Sequence, residues 1–208
     1  IHEDMTEACA MLGPDFLLNT VFTPAGAVSE IVAGHWYEAW EKGCQDLLKM
    51  AGVKIKELAD VVIASAGGYP KDLNLYQSIK CHMNATFAVK KGGIMIFTLD
   101  CEDIKEPAIF TDCFSRSNLE QFEKDIREAF TVPAFVAFKG RNILSDVTAY
   151  LVTRPENFDF VKRTGHIPCA TLEEAWSLAQ AKLAKQGKHD YTITIMGHGS
   201  ATLPILEQ

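Results

Sequence analysis

Between Asp60 and Phe130 two hydrophobic patterns take turns. A short apolar run from Asp60 to Ala64 is followed by helix-length text from about Asn74 to Val89, and a second run, Ile94 to Leu99, by another helical stretch from Leu119 to Phe130. Short runs that are apolar throughout read as strands buried on both faces, and strands separated by helices cannot pair as hairpins. They must lie side by side with the helices packed on them. The predicted class is α/β: a mixed, largely parallel sheet with packed helices.

The rest of the chain extends this pattern. Pro133 suits a first helical turn and apolar periodicity runs from it to Leu144, with a strand following at Thr148 to Val152. Pro155 opens a short helix that Gly165 closes, and Thr171 with Glu174 forms a capping box for a helix reaching Gln186. Tyr191 to Met196 reads as a closing strand, and Gly197-His198-Gly199-Ser200 as the turn that ends it. Ahead of the alternating block, Asp4 to Leu12 reads as a helix, and Phe16 to Phe22 with Ala27 to Val32 as a hairpin around Pro24-Ala25-Gly26. A long amphipathic helix from Trp36 to Met50 follows, stopped by Gly52, with Lys54 to Glu57 as a linker.

Composition narrows the function classes. Of 208 residues 48% are hydrophobic, enough for a real core, and 20 Lys and Arg against 27 Asp and Glu leave a net charge of −7 with no basic run. That balance argues against nucleic acid as a partner. The longest uncharged apolar stretches, such as Phe16 to Val21, fall far short of the ~20 residues that cross a bilayer, so no membrane role is expected. Cys9, Cys44, Cys81, Cys101, Cys113 and Cys169 show no clustered spacing; they read as reduced thiols of a cytoplasmic protein, with no metal site. The start at Ile1, followed by polar His2-Glu3-Asp4, reads as the middle of a longer protein.

One segment departs from generic α/β text. After the strand at Asp60 to Ala64 come Gly67-Gly68-Tyr69-Pro70-Lys71-Asp72, and then a helix. In open α/β sheets such strand-end crevices hold ligands, and the amino end of the helix offers free N–H groups to an anion. At about 100° per residue, Leu75, Ile79, Met83 and Phe87 share a buried face, with Tyr76, Gln77 and Lys80 in a polar stripe beside it. A lysine supplies charge to a carboxylate, a glutamine both donates and accepts, and a tyrosine ring walls a pocket. A plainer reading uses the same residues: Gln77 completes a capping box with Asn74, Lys80 snorkels from the core edge and Tyr76 packs half-buried.

The pattern Gly67-Gly68-Tyr69-Pro70-x-Asp72-x-x-x-Tyr76-Gln77-x-x-Lys80 resembles the carboxy-terminal domain of the lactate racemase family, enzymes that use a nickel-pincer nucleotide. The likeness extends to His2-Glu3-Asp4-Met5, Asp15 to Asn19, Val32-Ala33-Gly34 and Lys91-Gly92-Gly93. The resemblance implies racemisation or epimerisation of 2-hydroxy acids, in which the cofactor takes the α-hydrogen as hydride and returns it to the opposite face. It implies that Tyr76, Gln77 and Lys80 bind the substrate, with Phe135 near it and Gly67, Gly68, Pro70 and Asp72 shaping the backbone. The family's catalytic histidines and cofactor-bearing residues precede this sequence, so no catalytic residue and no bound cofactor are expected here. The fragment alone is expected to be inactive.

The same resemblance implies a layout. Residues 1–57 would end the larger amino-terminal cofactor domain, 58–190 would form the substrate-side domain, and 191–208 would return as a strand to the first. The missing amino-terminal domain and a small 2-hydroxy acid are then the partners. Phe135 stands where the family commonly has tryptophan, and Cys101 to Pro107 replaces a glycine-rich loop, so a larger or different hydroxy acid stands beside lactate as substrate. The runner-up is a noncatalytic organic-acid-binding protein on the same fold. A generic interaction domain would need Tyr76, Gln77 and Lys80 to face solvent apart from one another. The acidic cluster Glu102, Asp103 and Glu106 reads as a solvated loop.

Overall fold

A computed structural model describes residues 2–23, 25–115 and 118–207. They fall into two units, Ile1–Gly52 and Val53–Gln208. The first contains helix α1 (His2–Leu12), strands β1 (Leu17–Phe22) and β2 (Val28–Gly34), and helix α2 (Trp36–Ala51). β1 and β2 pair antiparallel, as the hairpin pattern predicts; Pro24 of the expected turn lies outside the described residues. Val21, Val32 and Ala39 are the buried apolar residues here, while Phe16, Leu18, Phe22, Val28 and Ile31 remain exposed.

The second unit is built on a five-stranded parallel sheet. Its elements in chain order are β3 (Gly52–Ile55), β4 (Ala59–Ser65), α3 (Leu75–Ala85), β5 (Val89–Thr98), α4 (Ala108–Thr111), α5 (Leu119–Glu128) and α6 (Val132–Ser145). There follow β6 (Thr148–Val152), α7 (Phe158–Thr164), β7 (Ile167–Cys169), α8 (Leu172–Lys185), β8 (Ile193–Met196) and β9 (Leu203–Leu206). The sheet order is β7-β6-β5-β4-β8, every neighbouring pair parallel. Because side chains alternate along a strand, the sheet buries two separate cores. Val62, Ala64, Met95, Phe97 and Leu151 meet α3 and α5–α7 on one face; Val61, Ile94, Ile96 and Tyr150 meet Ala175, Ala179 and Leu183 of α8 on the other.

Two expectations change. Lys54 to Glu57 is no free linker: residues 52–55 form β3, which pairs with β9. Within the segment 191–208, β8 pairs with β4, which is apolar on both faces and whose backbone needs a ladder on each edge. The helix expected from Asn74 to Val89 ends at Ala85, and Val89 already belongs to β5. Met83 and Phe87 are accordingly exposed, and the buried face of α3 is Leu75, Ser78, Ile79, Cys81, His82 and Ala85.

Polar groups inside the core fix where α3 lies. His82 and His166 are both buried, with Nε2 atoms 3.0 Å apart, and His82 stacks on Phe97 at 3.8 Å between ring centroids. The Ser78 carbonyl, 3.0 Å from His82 Nδ1, can only accept, so that nitrogen carries the proton and His82 Nε2 accepts from His166. The Thr164 hydroxyl lies 2.8 Å from His166 Nδ1 and 2.6 Å from the Val161 carbonyl, sharing its one proton between those acceptors. This relay ties α3 to the α7–β7 connection. On the sheet's opposite end, buried Asp60 holds Lys90 at 2.8 Å and Lys188 at 2.6 Å, and these ammonium groups keep its carboxyl well below the usual range.

Burial lowers His82 to about 4 and holds His166 well below the ordinary imidazole value. The unfolded chain takes up protons near pH 6.5 that the folded chain refuses, so this contribution is complete above that pH and fades as pH falls toward 4. Urea denaturation should show about 3 kcal/mol lost between pH 7 and pH 4 from His82, with a further loss from His166. In His166→Gln, which cannot titrate there, the same curve should be visibly flatter; an unchanged slope would refute the assignment.

Candidate functional site

The carboxyl ends of the parallel strands carry three connections that build one rim: residues 66–74 after β4, 99–107 after β5, and 197–202 after β8. In the first, Gly67 and Gly68 take φ of +103° and +77°, the left-handed region that a side chain resists, so the double glycine lets the chain turn sharply out of the sheet. The Tyr69–Pro70 peptide is cis. Asn74 then caps α3, its side-chain oxygen accepting from the Gln77 backbone N–H at 2.9 Å.

Asp72 ties the first connection to the second. Its carbonyl accepts from the Cys101 N–H at 2.9 Å and its carboxylate from the Asp100 N–H at 3.5 Å, while the Leu73 carbonyl accepts from Asp103. Cys101, buried at φ +50°, is the one non-glycine in the left-handed region among the described residues. Asn157 donates to its carbonyl at 2.9 Å. Asp100 receives a two-pronged grip from Arg154, at 2.7 and 2.6 Å, which lowers the Asp100 pKa and leaves the guanidinium charged. Arg154 also lies 3.8 Å from Glu102, so it gathers two of the acidic side chains of this connection. Among the described residues no three His, Cys, Asp or Glu side chains come together to hold a metal ion.

The stripe predicted on α3 is present, with distinct environments. Tyr76 is half-buried against the core, its ring edge-on to Phe110 at 5.4 Å. Gln77 is half-buried and Lys80 exposed, and among the described residues neither side chain has a hydrogen-bond or ion-pair partner. The capping box proposed as the plainer role for Gln77 is thus filled by Asn74 alone, and the Gln77 amide stays available. Phe135 lies elsewhere: with Phe130, Phe138, Ile126, Glu123 and Arg127 it lines a groove between α5 and α6 that includes none of Tyr76, Gln77 and Lys80.

The geometry joins a glycine turn, a capped helix and an unpaired Gln–Lys stripe, and the sequence comparison bears on the same region. Residues 54–203 match the family model described as the lactate racemase C-terminal domain. The chain belongs to the lactate racemase family. The lactate racemase of Thermoanaerobacterium thermosaccharolyticum is 31% identical over 193 residues, 90% of this chain and 45% of that protein. That of Lactiplantibacillus plantarum is 30% identical over 103 residues, 50% of this chain and 24% of that one. The structure of the lactate racemase apoprotein from T. thermosaccharolyticum superposes with a TM-score of 0.86 at 27% identity, covering 98% of this chain and 49% of that chain. A crystal structure of a Thermotoga maritima protein, at 14% identity and TM-score 0.61 over 92% of this chain and 49% of its own, shares the fold. The chain spans about half the length, or less, of the lactate racemases it matches.

Sequence reasoning gives the third connection as a turn but not its packing. The 197–202 turn is fastened to α3 and β4: Asn84 donates to the Gly199 carbonyl at 2.8 Å, and a Cβ on Gly199 would sit 2.5 Å from Cys81 Sγ. His198 lies against Gly67 so closely that a Cβ there would stand 2.9 Å from its Nδ1. The small residues Gly67 and Gly199 were the available signal, since each marks a close approach of two chain segments.

Two outcomes test this packing. Gly67→Ala combines a positive φ with the His198 clash and should cost about 1–3 kcal/mol in chemical denaturation while displacing the 197–202 turn. Burial pushes the thiols of Cys81 and Cys101 up to about 12. In native protein an alkylating reagent should therefore label exposed Cys44 and leave these two unmodified until urea is added, as read by mass spectrometry.

Proposed function

We propose that this chain supplies the substrate-side wall of a 2-hydroxy acid racemase or epimerase, with Gln77 and Lys80 binding the acid. The observation that carries the reading is the pair of unpartnered polar side chains on one helix face beside the glycine turn, in a chain of the lactate racemase family. Lys80 offers a positive charge to the carboxylate, Gln77 a donor and an acceptor to the 2-hydroxyl, and Tyr76 excludes water along one side.

The family implies a nickel-pincer nucleotide, whose chemistry is the reversible removal of the α-hydrogen as hydride. The described residues do not offer a metal-binding cluster. Its anchoring is assigned to the portion of the full-length protein outside these residues, with residues 1–57 belonging to the same cofactor-side domain. The exposed apolar side chains Phe16, Leu18, Phe22 and Ile31 support that assignment, since such surfaces are covered in a complete protein. On this reading residues 58–190 bind substrate, and the fragment alone is inactive. A cytoplasmic location fits the free thiols, and no described helix is long and apolar enough to cross a membrane.

The test is to produce the full-length protein together with the cofactor-making enzymes and follow single-enantiomer 2-hydroxy acids, lactate and larger homologues, for loss of optical purity. Lys80→Ala should lower kcat/KM about 100-fold or more, the scale of losing a charge-assisted contact to substrate, with its thermal unfolding unchanged. Full activity in that variant would overturn the assignment of Lys80. Binding of an acid without conversion would favour an organic-acid-binding protein instead.

A further inference from the structure

Two buried imidazoles interrupt the apolar packing of α3 on the sheet, and the chemistry assigned above uses neither. Burying His82 and His166 costs stability that an apolar pair would keep, most of all in acid. What the histidines add is direction, since a hydrogen bond breaks on a shift that apolar packing absorbs.

The His82 ring is held so that it cannot follow a movement of its helix. Its Nδ1 donates to the Ser78 carbonyl of α3 itself at 3.0 Å, its plane lies 25° from that of Phe97 on β5, and its Nε2 accepts from His166 at 3.0 Å. His166 directly precedes β7, where Ile167 pairs with Tyr150 of β6, so this bond refers α3 to the sheet. Asn84 grips the helix at the same level, donating to the Gly199 carbonyl at 2.8 Å. At about 100° per residue His82 and Asn84 stand about 160° apart around α3, so the helix is gripped from opposite sides and resists turning about its axis. Gln77 and Lys80 lie within about 20° and 40° of the Asn84 direction, away from the histidines. Without the grip of His166, a turn of about 20° would carry a side-chain head ~6 Å from the helix axis by about 2 Å. A misplacement of about 1 Å can cost ~100-fold in rate.

We propose that His166 is a positioning residue for the acid site: by donating from Nε2 to His82 it fixes the rotation of α3 that presents Gln77 and Lys80. The inference rests on the reading of the α3 stripe as the acid site, and His166 acts on it only through the helix. The atom that matters is the Nε2 donor. A glutamine amide reaches as far as Nε2 and can replace it, whereas an asparagine amide reaches only as far as Nδ1 and a leucine donates nothing.

The experiment uses the full-length, cofactor-loaded protein with an acid that it converts, at neutral pH and below the unfolding temperature of each variant. In His166→Leu kcat should fall about tenfold with KM within about threefold of wild type, because the flexible lysine follows the carboxylate while the reacting carbon loses its alignment. His166→Gln should recover kcat to within about threefold, and His166→Asn should not. A role in stability alone would shift the unfolding temperature and leave kcat as in wild type; that result, or equal kcat in the glutamine and asparagine variants, overturns the proposal. Should His166→Leu fail to fold, the glutamine and asparagine variants decide. Lys80→Ala assayed in parallel separates the two claims: if it is impaired while His166→Leu and His166→Asn turn over as wild type, the acid site stands and the role of His166 falls. If Lys80→Ala is fully active, or no acid of the panel is converted, the acid site falls and the role of His166 with it. A readout independent of turnover is the nitrogen-15 spectrum of histidine-labelled full-length protein, which should show the Nδ1–H tautomer at His82 and the Nε2–H tautomer at His166. The Nε2–H tautomer at His82 overturns the proposal.

Discussion

Strand β4 is apolar on both faces and paired on both edges, and the rest of the second unit follows from satisfying it. Val62 and Ala64 require a helical layer on one side, and Val61 requires α8 on the other. Neither β5 nor β8 can be given up, because the backbone groups of a fully buried strand have no access to water.

Polar interactions set the details that hydrophobic layering leaves free. Apolar packing alone would tolerate α3 sliding along the sheet, but the His82–His166–Thr164 relay has a single register, since each ring nitrogen has one partner at hydrogen-bond distance. At the opposite end Asp60 gathers two lysines and the Thr192 backbone N–H, joining β4, β5 and the approach to β8. Between these anchors the stripe of Tyr76, Gln77 and Lys80 is presented by a rigid helix. A site on a fixed element holds its groups with less conformational freedom to lose on binding.

Much of this was legible in the sequence because local patterns carry it. The strand runs at Asp60 and Ile94, the Thr171 cap and the Gly165 stop each have a local physical cause, and each lies within a few residues of its expected place. Boundaries failed where a long-range partner decided them. Lys54 to Glu57 looks like a linker until β9, some 150 residues later, pairs with Gly52–Ile55. Phe87 continues the helical spacing of Leu75 and Ile79, but Ala88 is already held by Ala59, which draws the chain into β5.

The site divides the same way. The glycine turn, the Asn74 cap and the stripe on α3 were determined by sequence, since they depend on φ preferences, capping chemistry and the 3.6-residue period. That Phe135 sits in a groove with α5, that two histidines 84 positions apart share a proton relay, and that His198 comes to rest on Gly67 were decided by the tertiary fold. The physical reason is that these contacts join residues distant in the chain, and their geometry exists only once both faces of β4 are covered and both of its edges are paired.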